Sequence, residues 1–211
     1  MNEKRRTKMW AVAKRRQSNL TVILENVHDQ HNIGAVLRSC DSVGIPEIYI
    51  LQSDPNLQKT RLALGKKTSA GSRKWVDAHY YTDTEKCFQK VRERYDFIYS
   101  THLATDSKSL YELNLTTSVA LLFGNEKSGL SEAALAHSDG NFIIPQVGMA
   151  SSLNISVACA ISVYEAFRQR KLKGFYDENL VQTEGEQQTM FENYVERHKI
   201  GDPPKKTYRL D

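Results

Sequence analysis

The feature that most constrains this chain is Val119-Ala120-Leu121-Leu122-Phe123, five apolar residues in a row with nothing polar to turn toward water. A strand that is apolar on both sides must be covered on both faces, as in a parallel sheet sandwiched between helices. Other short runs rich in β-branched and aromatic residues fall at Thr21 to Leu24, Glu47 to Leu51, Phe97 to Ser100 and Asn141 to Ile144. Helical patterns lie between them. Ile33, Val36, Leu37, Cys40 and Val43 recur at helical spacing and stop at Gly44, and Phe88, Val91 and Tyr95 share one side of a helix predicted over Thr84 to Arg94. A short helix opens with Ser131 as its N-cap. A last core helix is predicted from about Leu153 to Arg170, with Val157, Ile161 and Tyr164 as its buried stripe and Gly174 at its end. Alternation of this kind predicts an α/β fold, a parallel sheet with helices on both faces.

With 211 residues, 40% of them hydrophobic, the chain has room for one core with short additions. The expected division is a basic arm over 1–18, a main domain over 19–173 and an extension over 174–211, which ends in a Pro-rich basic tail. No apolar run is long enough to span a bilayer and the N-terminus lacks a signal-peptide stretch, so a cytoplasmic protein with no membrane partner is expected. Cys40, Cys87 and Cys159 are scattered, and His28 and His31 have no further ligand at metal-binding spacing, so no metal is expected.

Charge is unevenly distributed. Residues 1–16 carry seven Lys and Arg against Glu3, a local charge of +6, which leaves −2 on the rest of a chain whose net charge is +4. Such an arm suits a polyanion, because each neutralised phosphate releases counterions; a solvated helix face is the alternative. Arg15 and Arg16 in the arm, and Arg168 and Arg170 in a second basic cluster with Lys171 and Lys173, are the candidate RNA contacts.

Neither a GxGxxG fingerprint nor a GxxxxGK[ST] loop occurs, which disfavours dinucleotide-binding and P-loop enzymes. Three other segments place polar and glycine residues just after a predicted strand, where open α/β sheets collect ligands. The first is Glu25 to Arg38, with Asn32 near a helix start, where it can act as a cap. In it Arg38 follows Gly34 by one turn, so that its face of the helix is left open. On residues alone Arg38 reads as a surface cation before a catalytic one. The second is Phe123 to Leu130, where Gly124 and Gly129 bracket Glu126-Lys127 and let backbone approach a ligand. The third is Ile143 to Ala158, where Pro145 and Gly148 precede Ser152 and Asn154 at a helix start; capping accounts for one of those polar residues and not for all.

These segments, NIGAVLRS at 32–39, LLFGNEKSGL at 121–130 and IIPQVGMASSLNISVA at 143–158, resemble in order and separation the three motifs of the SPOUT superfamily in its TrmH subgroup, over roughly residues 19–170. GSRKWV at 71–76 and EAFRQRKLKGFYD at 165–177 are similar to tRNA-modifying members. The resemblance implies a SPOUT fold with a C-terminal deep trefoil knot, a homodimer and S-adenosylmethionine as cofactor. It implies 2′-O-methylation of tRNA, with guanosine-18 of the D-loop as the leading position. Methylation of rRNA or of another tRNA ribose is the alternative, and a non-catalytic RNA-binding member comes second. Carried over by position, Thr101, Leu122, Gly124, Ile144, Met149 and Leu153 would bind the cofactor. Arg38, Asn32, Glu126, Ser152 and Asn154 would surround the reaction centre. A guanidinium is a poor base because it stays protonated, so Arg38 is expected to orient phosphate and ribose and to stabilise the developing oxyanion. Gln146 and Ser151 depart from the family pattern, at positions that bear on knot packing or RNA selection.

Overall fold

A computed structural model describes residues 1–58, 61–65, 69–150, 152–177, 181–201 and 205–209, with the backbone alone for 61–63, 65 and 205–209. Ser151 and the Pro-rich part of the tail lie outside the described residues. In chain order the elements are α1 (Glu3–Ala13), β1 (Leu20–Glu25), α2 (Gln30–Ser42), β2 (Glu47–Leu51), β3 (Arg61–Gly65), β4 (Asp77–Tyr81), α3 (Thr84–Arg92), β5 (Phe97–Thr101), β6 (Lys108–Ser109), β7 (Val119–Phe123), α4 (Glu132–Leu135), β8 (Gly140–Ile143), α5 (Ile155–Leu172), α6 (Glu184–Ile200) and β9 (Lys205–Arg209).

The continuous apolar run forms β7, and it lies in the middle of a seven-stranded sheet of order β4-β2-β1-β7-β5-β8-β6. Every pairing in that sheet is parallel. Side chains alternate between two apolar layers. Val22, Leu24, Ile48, Leu121 and Phe123 pack with Ile33, Val36 and Leu37 of α2 and with Cys159 and Val163 of α5. Ile23, Tyr49, Leu51, Ala120 and Leu122 pack on the other face with Cys87, Phe88 and Val91 of α3. Each fully buried aliphatic side chain contributes about 1.5–3 kcal/mol of transfer free energy, so these two layers hold the sheet flat against its helices. The five expected strands are all present within a residue of their predicted limits. β4 and β6, and the antiparallel pair β3–β9, were not signalled.

Helix α5 corrects one expectation. Val157 and Tyr164 are half exposed, and the buried stripe is Ile155, Cys159, Val163 and Ala166. The helix is apolar on two sides, so periodicity alone could not choose between them, and the inner side is the one with the smaller residues that fit against α2. Asn32 is also not a cap: Asp29 caps α2, its carboxylate accepting from the His31 amide at 2.8 Å. Gly34 is buried, so the face beside it is filled by protein, while Arg38 on the next turn is exposed.

Two of the four expected RNA contacts are internal. Arg16 is fully buried: it pairs with Asp41 at 2.6 Å and donates to the Tyr194 hydroxyl at 2.6 Å and to the Ile45 carbonyl at 3.1 Å. Arg170 is equally buried. It donates to the carbonyls of Leu115, Thr117 and Asn19 and to the side chains of Gln17 and Asn19. Neither guanidinium has a donor face left for phosphate, so both are corrected to structural arginines that tie the chain ends to the sheet. Arg15 is exposed. Arg168 is largely exposed and grips Glu165 through two bonds, at 2.8 and 2.7 Å.

The two terminal segments meet. Met9 and Ala13 of α1 form a separate apolar cluster with Phe191 and Tyr194 of α6. Trp10 meets Phe191 edge-to-face at 5.3 Å, and Trp75 meets Tyr194 likewise at 5.5 Å.

Candidate active site

Most of the candidate residues, Arg38 excepted, gather at the C-terminal ends of β1, β5, β7 and β8. The chain leaves β1 through Asn26, which adopts a left-handed backbone with φ 55°. The Asn26 carbonyl accepts from Asn125 Nδ2 at 2.8 Å, which locks the β1 exit to the loop that follows β7. Buried Glu25 holds the far side of that loop, accepting from the Ser131 amide at 2.9 Å and hydroxyl at 2.5 Å. Residues 125–129 fold back on themselves, with reciprocal amide-to-carbonyl bonds of 2.9 Å between Asn125 and Gly129. A Cβ on Gly124 would lie 2.4 Å from the Gly129 carbonyl carbon, so this loop closes only over a glycine. Gly124 therefore serves the loop's own packing as well as lining the cleft beside it.

Beside that loop is a cleft of about 730 Å³. Of the expected cofactor contacts, Thr101, Gly124, Ile144, Met149 and Leu153 line it, together with Ser152 and Glu126. Leu122 does not: its side chain is buried in the layer under α3, and its carbonyl accepts from Thr101 Oγ1 at 3.3 Å. The cleft also uses residues that sequence reading missed, among them Phe142, which alternation hides inside β8, and His102, just past the end of β5.

Glu126 is the acid among the described lining residues, and it is the centre of a node. Its Oε1 accepts from Asn154 Nδ2 at 2.8 Å, Asn32 Nδ2 at 3.0 Å and the Ile155 amide at 3.2 Å. Asn154 Nδ2 also reaches Asn32 Oδ1 at 3.1 Å, and Asn154 caps α5 through the Ser156 amide at 2.9 Å. One residue from each of the three sequence segments thus meets in a single hydrogen-bonded cluster. Charge-assisted bonds from three donors to Oε1 fix the carboxylate. Asn32 faces a neighbouring cavity of about 150 Å³ that shares Asn125, Glu126 and Ile155 with the larger cleft. Arg38 is elsewhere, in a second cleft of about 550 Å³ with Arg5, Asp41, Lys74 and Trp75.

Comparison with known proteins gives this arrangement a lineage. Residues 19–164 match the SpoU rRNA methylase family. This chain belongs to that family. The tRNA (guanosine(18)-2′-O)-methyltransferase of Thermus thermophilus is 43% identical over 175 residues, which cover 83% of this chain and 88% of that protein. The crystal structure of the Aquifex aeolicus TrmH/SpoU tRNA modifying enzyme superposes with a TM-score of 0.81 at 31% identity, covering 95% of this chain and 98% of that one. The SpoU methyltransferase AviRb from Streptomyces viridochromogenes, solved with the cofactor AdoMet, gives a TM-score of 0.62 at 26% identity over 74% of this chain and 59% of that one. In a SpoU methylase the cleft at the strand ends is the place to look for the cofactor. Its dimensions, its mixture of apolar wall and backbone, and the Glu126 carboxylate in its lining fit an adenosine carrying a cationic sulfonium.

Proposed function

We propose that this protein is an S-adenosylmethionine-dependent tRNA ribose 2′-O-methyltransferase that acts on guanosine-18 of the D-loop. The observation that carries the reading is the meeting of Asn32, Glu126 and Asn154 at the edge of a cleft that fits the cofactor. The near full-length likeness to the Thermus enzyme supplies the substrate. The bound cofactor supplies an electrophilic methyl group. The chain's part is positioning: apolar walls hold the adenosine, the node holds the acceptor side, and water is kept from the methyl. Ser152 completes the rim. Arg38, as a guanidinium, orients a phosphate beside the target ribose and stabilises negative charge developing on its 2′-oxygen.

A homodimer completes the site. The exposed apolar face of α5, with Val157 and Tyr164 half exposed, lies on the helix that packs against α2, and Tyr164 reaches Ser42 Oγ at 3.2 Å. Pairing along that face brings Arg38 of one protomer toward the cleft of its partner, which answers its separation from Glu126 within one chain. The C-terminal trefoil knot of the resemblance has support in the insertion of β8 between β5 and β6, two strands already laid down. The main domain over 19–173 carries the chemistry, and RNA docking falls to the arm over 1–18, with its exposed Arg15, together with the exposed Arg168 of α5.

The test is to incubate the purified protein with labelled S-adenosylmethionine and total tRNA and to map the modified nucleotide. A methyl on the guanosine-18 ribose is expected. Transfer to a base, to rRNA alone or to nothing overturns the reading.

A further inference from the structure

Arg38 shares its cleft with cations from two other segments. Arg5 comes from α1, and Lys74 from the short turn Ser72–Lys74 that follows Ala70-Gly71. Arg5 and Lys74 both stand over the Trp75 ring, with their charged groups 5.7 and 5.2 Å from its centroid. An aromatic face attracts cations without neutralising them. Asp41, the acid in the lining, is already paired with buried Arg16 at 2.6 Å. Neither Arg5 nor Arg38 forms an ion pair among the described residues. The accumulated positive charge is felt nearby: burial, followed by the positive charges of Arg5, Lys74 and the amino terminus, holds the His198 imidazole below its ordinary value. Like charges brought together by separate elements repel one another, and an anion between them relieves that repulsion.

The floor of the cleft is fixed. Ser72 Oγ donates to the Ser69 carbonyl at 2.7 Å, and buried Arg73 donates to the Leu64 carbonyl. Ala70 and Gly71 both take left-handed backbone, with φ 45° and 84°, and the space where a Cβ of Gly71 would point is open.

We propose that this cleft is a phosphate subsite in which Arg5 and Lys74, beside Arg38, grip the RNA backbone next to the ribose being methylated. The subsite rests on the RNA-methylating reading above and gives Arg5 and Lys74 a role in holding substrate. A free nucleotide fits less well: its base needs an apolar slot, and the one aromatic ring among the described lining residues is already occupied by Arg5 and Lys74. Arg6 and Lys8, on the same helix as Arg5, are exposed as well.

The experiment measures tRNA binding against salt concentration for the wild-type protein and for Arg5→Met, Lys74→Met and Lys90→Met, with S-adenosylmethionine binding on each as a check of folding. Lys90 is an exposed cation on α3, which covers the opposite face of the sheet. Arg5→Met and Lys74→Met should each lower the slope of log K against log salt by about one unit, while Lys90→Met keeps the wild-type slope. Unchanged slopes in the first two variants, with wild-type protein still methylating tRNA, overturn the subsite and leave the function standing. No tRNA binding or transfer by the wild-type protein overturns the function and the subsite together. Thermal stabilisation of the wild type by inorganic phosphate, combined with unchanged tRNA slopes in the variants, assigns the cleft to a free anion and also overturns the proposal.

Discussion

At the scale of single residues, four arginines that look alike in the sequence do different work. Arg16 is held inside by Asp41 and Tyr194. Burial opposes its charge, but Tyr194 and Asp41 outweigh that and raise its pKa above the ordinary arginine value. Arg16→Ala would leave the Asp41 carboxylate and the Tyr194 hydroxyl without their partner, a loss of about 3–5 kcal/mol in comparable buried pairs. Thermal unfolding should show a fall on the order of 10 °C. Arg15→Ala, one residue earlier and exposed, should leave the melting temperature within a degree or two and weaken tRNA binding instead. Arg170 is pulled down to about 10 by burial, still charged at neutral pH, and belongs with Arg16. Arg38 is the one to which the proposed function assigns chemistry. Arg38→Ala should lower kcat by at least about 10²-fold while S-adenosylmethionine affinity, read by calorimetry, changes little, because an interaction made in the transition state does not hold the ground state. Turnover that survives the change would move the reaction centre elsewhere.

At the scale of elements, the edge of the sheet has its own pH dependence. Glu47 of β2 accepts from Tyr95 at 2.9 Å and Arg94 at 2.9 Å and meets His79 of β4 at 3.1 Å. Burial works against its ionisation, but the His79 hydrogen bond and the Arg94 charge prevail and hold the carboxyl below the usual carboxylate value. A depressed folded-state pKa means stability that is present above the unfolded value and lost as pH falls through the folded one. The melting temperature should therefore drop as pH is lowered below about 4, and Glu47→Gln should shallow that drop. A variant as acid-sensitive as the wild type would remove Glu47 from the account. The same corner shows where sequence stops being legible. Strand β7 could be read because it is apolar throughout, and so could α2, which Gly44 ends at φ 87°. β4 could not: Asp77, His79 and two tyrosines suit an edge, and they gain their meaning from Glu47 and Arg197 far along the chain. At the site, Asn32, Glu126 and Asn154 were legible through the family resemblance, and their hydrogen bonds to one another span up to 122 residues. Buried Arg16 and Arg170 were misread because fully buried arginines are rare without partners, and theirs lie as much as 178 and 153 residues away.

At the scale of the whole molecule, the proposed assembly and the terminal helices can be separated. Val157→Asp puts a charge on the outward face of α5 and should shift sedimentation toward the 24.1 kDa of one chain; a wild-type protein already at that mass in micromolar solution would end the dimer proposal. The termini pose a different question, because the basic charge resides on α1 while the surface that seats α1 is α6. Trp10 and Phe191 form one edge-to-face contact at 5.3 Å, and Arg6 lies 5.4 Å from the centroid of the Phe191 ring, so the last helix sets the direction in which the first presents its cations. If α1 docks tRNA from that seat, Trp10→Ala and Phe191→Ala should each weaken tRNA binding several-fold while S-adenosylmethionine binding, in a cleft that neither residue lines, is unaffected. The two changes remove the same contact, so the double variant should be little worse than the more damaging single one, a coupling energy of about 0.5–1.5 kcal/mol in the binding cycle. Fully additive losses would show that the two helices meet RNA independently, and tRNA affinity unchanged in both would show that the orientation of α1 does not matter to docking.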